Sequence, residues 1–193
     1  SGIIMMAMLQ NSYTNTQSTI TTAKVLGFAI DVIIPPIPTR VLVFAFLIGG
    51  VARGLLVGLL SFTVLYFFAN FSLHSVPLLI LYAILACSVF SLIGVIFGAL
   101  SKNFDSATSF NTYFINPITL LSGTFYSISF LSPFWQKVIL FNPAFYLIDG
   151  FRYSLTGVTE TPFSPIFPLM FCCLTVVILF FVACIAVKEK YLD

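Results

Sequence analysis

An apolar run from Ile166 to Val187, without one charged side chain, constrains the fold of this chain more than any other feature. A transmembrane helix needs about 20 consecutive residues of predominantly apolar character. Four further stretches have similar character, at about residues 3–20, 41–71, 77–100 and 107–121. We therefore predict an all-α polytopic membrane protein with about five transmembrane helices, the fourth kinked near Pro117.

Composition supports a membrane location. Hydrophobic residues make up 60% of the 193 residues and charged residues only 7%, with a mean hydropathy of +1.11. Soluble domains carry about 25% charged residues, so lipid must solvate much of this surface. The net charge of +2 gives no basis for binding nucleic acid, and we predict no such partner. The four cysteines lie in apolar runs, apart from any histidine ligand set, so we predict no metal site and no cofactor.

One stretch, residues 122–157, is too polar and broken for a clean span and too apolar for a water-exposed loop. It contains Ser132-Pro133 and Asn142-Pro143, two pairs in which a capping side chain precedes a proline at the first helical position. We expect two short helices joined by a turn, which form a re-entrant helical hairpin before the last span. Irregular backbone at membrane depth survives only where protein or water surrounds it.

The same part of the chain carries a spaced set of prolines, glycines and polar or aromatic residues: Pro117, Leu121-Ser122-Gly123, Phe125-Tyr126, Trp135, Asn142-Pro143, Asp149, Arg152 and Gly157. This set resembles the C-terminal signature of ABC-2 type permeases, the membrane subunits of ATP-driven exporters in bacteria. The family pattern commonly has prolines near positions 127 and 132, whereas this chain has Ser127 and places the proline at Pro133.

The resemblance implies that residues 1–193 form a single transmembrane permease domain in the bacterial inner membrane. It implies a dimer of permeases, expected here to be a homodimer, driven by a separate ABC ATPase subunit. In the family, a cytosolic amphipathic helix and one further span precede the point where this sequence starts. We therefore expect the chain to be a fragment that lacks both.

The connection at residues 24–40 contains Lys24, Asp31 and Arg40 and ends near a cluster of prolines. The resemblance implies that it is a cytosolic coupling loop, whose short helix docks on the ATPase subunit. A plain interfacial turn is the alternative.

Two glycine series predict close helix contacts. Gly50, Gly54 and Gly58 recur every fourth residue, as do Gly94 and Gly98. Small faces of this kind allow helices to approach closely in lipid.

Polar side chains inside the predicted spans mark a possible substrate path. Asn11 and Asn15 lie in the amide-rich second half of the first span, which either faces other helices and a cavity or leaves the membrane early. Arg53 lies deep in the second span, where an arginine costs roughly 2.5–3.5 kcal/mol. It either lines the path and meets an anionic or polar substrate group, or snorkels and bonds to carbonyls. Asp149 and Arg152 could pair locally, to orient their helix or to contact substrate.

Lysine and arginine set the orientation. One side of the predicted membrane holds Lys24, Arg40, Lys102, Lys188 and Lys190. The other holds Lys137 and Arg152. The richer side is predicted to be cytosolic, together with the C-terminus, and this places residues 122–157 outside the cytoplasm.

The sequence contains no P-loop pattern G-x-x-x-x-G-K-[ST] and no catalytic histidine motif, so we predict a transport subunit rather than an enzyme. The predicted function is that of a permease that forms the translocation path of an ABC exporter. The alternative is an ATP-independent channel or ion-coupled carrier. Such carriers often show paired half-sequences, which are not evident here.

Overall fold

A computed structural model describes residues 2–27, 37–68, 74–124, 132–140, 142–159 and 166–189. These residues form helices joined by turns, without a strand among them. In chain order the helices are α1 (Gly2–Val25), α2 (Thr39–Phe68), α3 (Val76–Leu100), α4 (Phe104–Phe110), a π-helical segment (Asn111–Ile115), α5 (Asn116–Leu121), α6 (Pro133–Ile139), α7 (Pro143–Thr156) and α8 (Ile166–Val187).

Within these described ranges, three helices are long and apolar enough to cross a membrane: α2, α3 and the part of α8 from Phe167 to Val187. The predicted apolar helical character of these three stretches is confirmed. Helix α2 has 30 residues, or ~45 Å of length at 1.5 Å per residue, which exceeds the hydrocarbon thickness. Helix α1 has 24 residues, but its polar second half lowers its hydropathy. The total of five spans therefore stays a prediction.

Helix α3 lies at the centre of the fold, where it packs against α1, α2, α7 and α8. The two glycine series lie where α1, α2 and α3 pack against one another. Gly54 faces Ser12 and Cys87, and Gly98 lies against Gln17, whose carbonyl oxygen would be 3.1 Å from an added Cβ. The remaining glycines lie in the same contacts: Gly50 beside Ser91 and Thr16, Gly58 beside Met8, and Gly94 beside Thr16 and Tyr13.

Near Pro117, where the sequence predicts a kink, the helix contains a π-helical turn, which is wider than an α-helical turn. The π-helical segment ends two residues before Pro117, and the Asn116 N–H donates to the Asn111 carbonyl, five residues back. Proline removes one helical hydrogen bond and crowds the preceding turn, and π turns are a usual way to absorb such a defect. The chain thus stays helical from Phe104 to Leu121.

The two short helices of the 122–157 segment begin at Pro133 and Pro143, where the sequence predicts helix starts. Asn142 has extended backbone, and its side-chain oxygen accepts a hydrogen bond from the Ala144 N–H at 3.0 Å. Helix α7 ends at Thr156 and is capped by Gly157, whose φ of 73° suits glycine and whose N–H donates to the Tyr153 carbonyl at 2.8 Å. The predicted capping at the start of α7 is confirmed.

Candidate functional site

Helix α1 turns its polar side outward. Its exposed or half-buried positions at helical spacing are Gln10, Asn11, Thr14, Asn15, Ser18, Thr19 and Thr22. We call these seven residues the polar face of α1. The opposite side is buried and begins with Ile4, Met5, Met8 and Leu9. This is the reverse of the pattern that lipid favours, because hydroxyl and amide groups cost free energy in hydrocarbon.

Arg53 joins this polar face from α2. Its Nη1 donates to Asn15 Oδ1 at 3.1 Å, and both side chains lie at the surface of the chain. Arg53 is 14 residues beyond Thr39, the first residue of α2, or ~21 Å along the axis. It therefore lies near the middle of that long helix. Asn11 lies one turn from Asn15 and donates to the Ala7 carbonyl of its own helix at 2.9 Å.

Further polar contacts hold α1 in place. Thr16 Oγ1 donates to the Ser91 carbonyl of α3 at 2.9 Å. Gln10 Nε2 donates to Asn116 Oδ1 at 3.3 Å, and this bond connects the polar face to the start of α5. From the sequence only Asn11 and Asn15 of this face are predicted to line a path; the structure adds Gln10, Thr14, Ser18, Thr19 and Thr22. The signal was present, however, in the recurrence of amides and hydroxyls every three or four residues through this helix.

Lys24 caps the end of α3. Its Nζ donates to the Ala99 carbonyl at 2.6 Å and to the Ser101 carbonyl at 3.0 Å. A cation at this position satisfies carbonyls that the helix leaves free and matches the negative end of the helix dipole. Arg40 is exposed in the first turn of α2, whereas Asp31 lies outside the described residues. Lys24 thus joins the end of α1 to the end of α3, a contact that its position in the sequence does not predict.

The signature residues of the 122–157 segment meet at one turn. Asn142 Nδ2 donates to Ser122 Oγ at 2.9 Å, and Arg152 Nη2 donates to the Gly123 carbonyl at 2.6 Å. Gly123 has a φ of 76°, a conformation that glycine adopts without strain. We call this set of four residues the hairpin junction. It ties both ends of α7 to the turn that follows α5.

Asp149 lies on the buried side of α7 and is only 3% exposed. Its Oδ2 accepts a hydrogen bond from Thr159 Oγ1 at 2.8 Å, beyond the end of the helix. The contacts of Asp149 and Arg152 with neighbouring backbone and loop groups favour the orienting role over the substrate role.

The C-terminal end of α7 is also fixed to the segment before α3. The backbone N–H groups of His74 and Ser75 donate to the Ser154 carbonyl at 3.2 and 3.0 Å. Gly157 lies against the His74 ring. Of the remaining signature positions, Pro117 is exposed near the start of α5, and Pro143 opens α7.

Residues 1–156 match the protein family described as "ABC-2 type transporter". The chain belongs to this family. The match includes the polar face of α1, Arg53 and the hairpin junction, and it ends at the last residue of α7. The resemblance of the 117–157 signature to ABC-2 permeases is thereby confirmed.

Curated relatives of this ABC-2 family member are named "Inner membrane transport permease YadH". The proteins from Escherichia coli K12, Escherichia coli O157:H7 and Shigella flexneri are each 36% identical over 189 residues, which is 98% of this chain and 73% of the relative. No solved structure matches the chain significantly. The family, the relatives and the apolar helices agree on a membrane transport protein.

Proposed function

We propose that this chain is the permease subunit of an ATP-driven exporter in the bacterial inner membrane. In this proposal the permease forms the translocation path, and a separate ABC ATPase subunit hydrolyses ATP. The observation that carries the proposal is the outward polar face of α1, joined by Arg53 through its bond to Asn15. Family membership supports the same role.

A polar face of this length needs water or protein beside it. Translocon scales put an arginine at the centre of a membrane helix at roughly 2.5–3.5 kcal/mol. The seven polar residues of α1 add to that cost if they face lipid. Two copies of the chain with these faces opposed would enclose a polar path and remove both costs. We therefore propose a homodimer in which Arg53, Asn11 and Asn15 line the path and in which the arginine favours an anionic or polar substrate group.

The helix lengths support the proposed membrane topology. Helix α1, with 24 residues, measures ~36 Å and is long enough to cross, and the helical run from Phe104 to Leu121 measures ~27 Å. Helix α7, with 14 residues, measures only ~21 Å and is too short to cross. Five spans with a re-entrant hairpin at residues 122–157, outside the cytoplasm, fit these lengths. The distribution of lysines and arginines supports a cytosolic C-terminus in this proposal.

The coupling to ATP hydrolysis is proposed to pass through residues 24–40. Lys24 ties the end of α1 to the end of α3, so a displacement of the loop would move both helices together. Arg40 lies in the first turn of α2, at the other end of the same loop. Lys24, Asp31 and Arg40 therefore form the proposed contact region for the ATPase subunit.

Co-purification tests this proposal. The tagged permease should retain an ABC ATPase when membranes are solubilised mildly, and deletion of residues 28–36 should abolish that retention while Lys24 and Arg40 remain. A matched control deletes residues 160–165, which lie on the proposed opposite side. Equal retention by both deletion variants would contradict the coupling role. Solute transport by the purified permease alone, without ATP, would instead support a channel or carrier.

A further inference from the structure

A groove of about 560 Å³ lies between the start of α2 and the end of α8. Arg40 and Thr39 line it on one side, and Lys188 lines it on the other. Arg40 and Lys188 are both exposed, and no carboxylate is among the lining residues within the described part of the chain. The mouth of the groove therefore carries two cationic side chains and a hydroxyl group, while Glu189, which follows Lys188 in sequence, is not among the lining residues.

The inner wall of the groove is apolar and is formed by Phe181 and Ile185 of α8. These side chains are 56% and 58% exposed. Leu174 and Ile178 are exposed to a similar extent. Positions 174, 178, 181 and 185 share one face of a helix, so these four side chains form a continuous apolar stripe along α8. The stripe follows one of the helices that can cross the membrane, so it suits contact with an acyl chain.

The position of the groove along the membrane normal follows from the helices themselves. Arg40 is the second residue of α2, and Lys188 directly follows α8. If both helices cross the membrane, as their length and composition allow, these two ends lie near the lipid headgroups in either orientation of the chain. Basic pockets between membrane helices at this level bind anionic headgroups.

We propose that this groove binds an anionic phospholipid. The phosphate would contact Arg40 and Lys188, Thr39 would donate its hydroxyl, and one acyl chain would follow the stripe on α8. A soluble protein segment would satisfy the cations but not the apolar wall, whereas a phospholipid satisfies both. The site is distinct from the polar face of α1 but shares Arg40 with the proposed ATPase contact region. Its tests measure lipid binding to the permease alone, so they can fail independently of the proposed exporter function.

Native mass spectrometry of the full chain in neutral detergent tests this site. The protein is titrated with phosphatidylglycerol or with phosphatidylcholine that carries the same acyl chains. We expect preferential retention of phosphatidylglycerol. R40Q and K188Q should each weaken that retention roughly fivefold, on the basis of about 1 kcal/mol per cation near an anionic surface. Phosphatidylcholine retention should not change.

The matched control is K102Q, which removes one exposed cation at the end of α3, outside the groove. It should retain phosphatidylglycerol as the unmodified protein does. The proposal is overturned if R40Q and K188Q bind phosphatidylglycerol normally, or if K102Q loses as much as they do. The second result would show an effect of total charge only.

A second measurement needs no substitution. Cys184 lines the groove and is half-buried, whereas Cys173 is exposed on the same helix and lies outside it. Phosphatidylglycerol should slow alkylation of Cys184 by a lipid-soluble maleimide severalfold and leave Cys173 unchanged, and phosphatidylcholine should protect neither. Equal rates with both lipids would refute the site. Protection of Cys184 by inorganic phosphate alone would show an anion site without lipid selectivity and would also refute it.

Discussion

Replacing Gly54 with alanine should destabilise the contact between α1 and α2. The added Cβ would fall against Ser12 Oγ, 2.7 Å from Cys87 Sγ and 3.2 Å from the Met8 carbonyl oxygen. The first two contacts are closer than real Cβ atoms tolerate, and the third is with backbone, which cannot rotate away. Helix α1 must therefore shift. Overpacking of this kind typically costs about 1–3 kcal/mol.

Two companion variants isolate the cause. G49A makes the same change in the same helix, but its nearest neighbouring atom is Asn15 Nδ2, at 3.8 Å, which is ordinary van der Waals contact. It should therefore be close to neutral. S12A removes the hydroxyl that G54A meets first, so the double variant S12A/G54A should recover part of the loss. A coupling of about 0.5–3 kcal/mol is usual for residues in direct contact.

Thermal unfolding in one detergent at a fixed lipid content measures these effects. For a chain of this size 1 kcal/mol shifts the Tm by about 2–4 °C, so G54A should lower it by roughly 2–12 °C. G49A should lie within a degree or two of the unmodified protein. The reasoning is refuted if G54A melts normally, or if G49A is equally damaging.

Three other substitutions can be measured by the same unfolding assay. N142A should lower the free energy of unfolding by about 1–2 kcal/mol, because it removes both the helix cap and the hydrogen bond to Ser122. S122A removes only that hydrogen bond and should lower the free energy of unfolding by less. K24M should lower the free energy of unfolding by about 1 kcal/mol, because it leaves the final carbonyls of α3 uncapped. K102M, at an exposed position, should leave that free energy unchanged. Similar losses in both variants would contradict the capping role of Lys24. G157A should cost about 1–2 kcal/mol because its φ of 73° strains any side chain, and an unchanged Tm would refute that strain.

The sequence was sufficient for features that depend on local chemistry. The length of an apolar run fixes a span, and α8 has the bounds that its run predicts. A capping residue before a proline fixes a helix start, and α7 begins accordingly at Pro143. Glycines at four-residue intervals indicate that a helix packs closely against another helix, although they do not identify that second helix. In the structure both series contact α1, and Gly50 and Gly54 also contact α3.

Features that depend on pairing across the fold could not be predicted from the sequence. The sequence predicts either a substrate group or backbone carbonyls as the partner of Arg53, whereas the structure supplies the side-chain oxygen of Asn15, 38 residues away in the chain. The sequence places Lys24 in a loop, whereas tertiary packing brings it to the end of α3. In both cases the sequence shows that the side chain needs a polar partner, but it does not show which distant residue the fold brings next to it. The coupling role of residues 24–40 and the re-entrant position of residues 122–157 stay predictions.

The most direct test of the central claim measures whether water reaches the polar face of α1. Cysteine is introduced at Thr14 on that face or at Leu60, an exposed apolar position on α2, in a chain whose four native cysteines are replaced. Membrane vesicles of both orientations are then treated with a membrane-impermeant thiol reagent. The account predicts that T14C reacts much faster than L60C in at least one orientation. Equally slow reaction at both positions would show that no water-filled path adjoins this face.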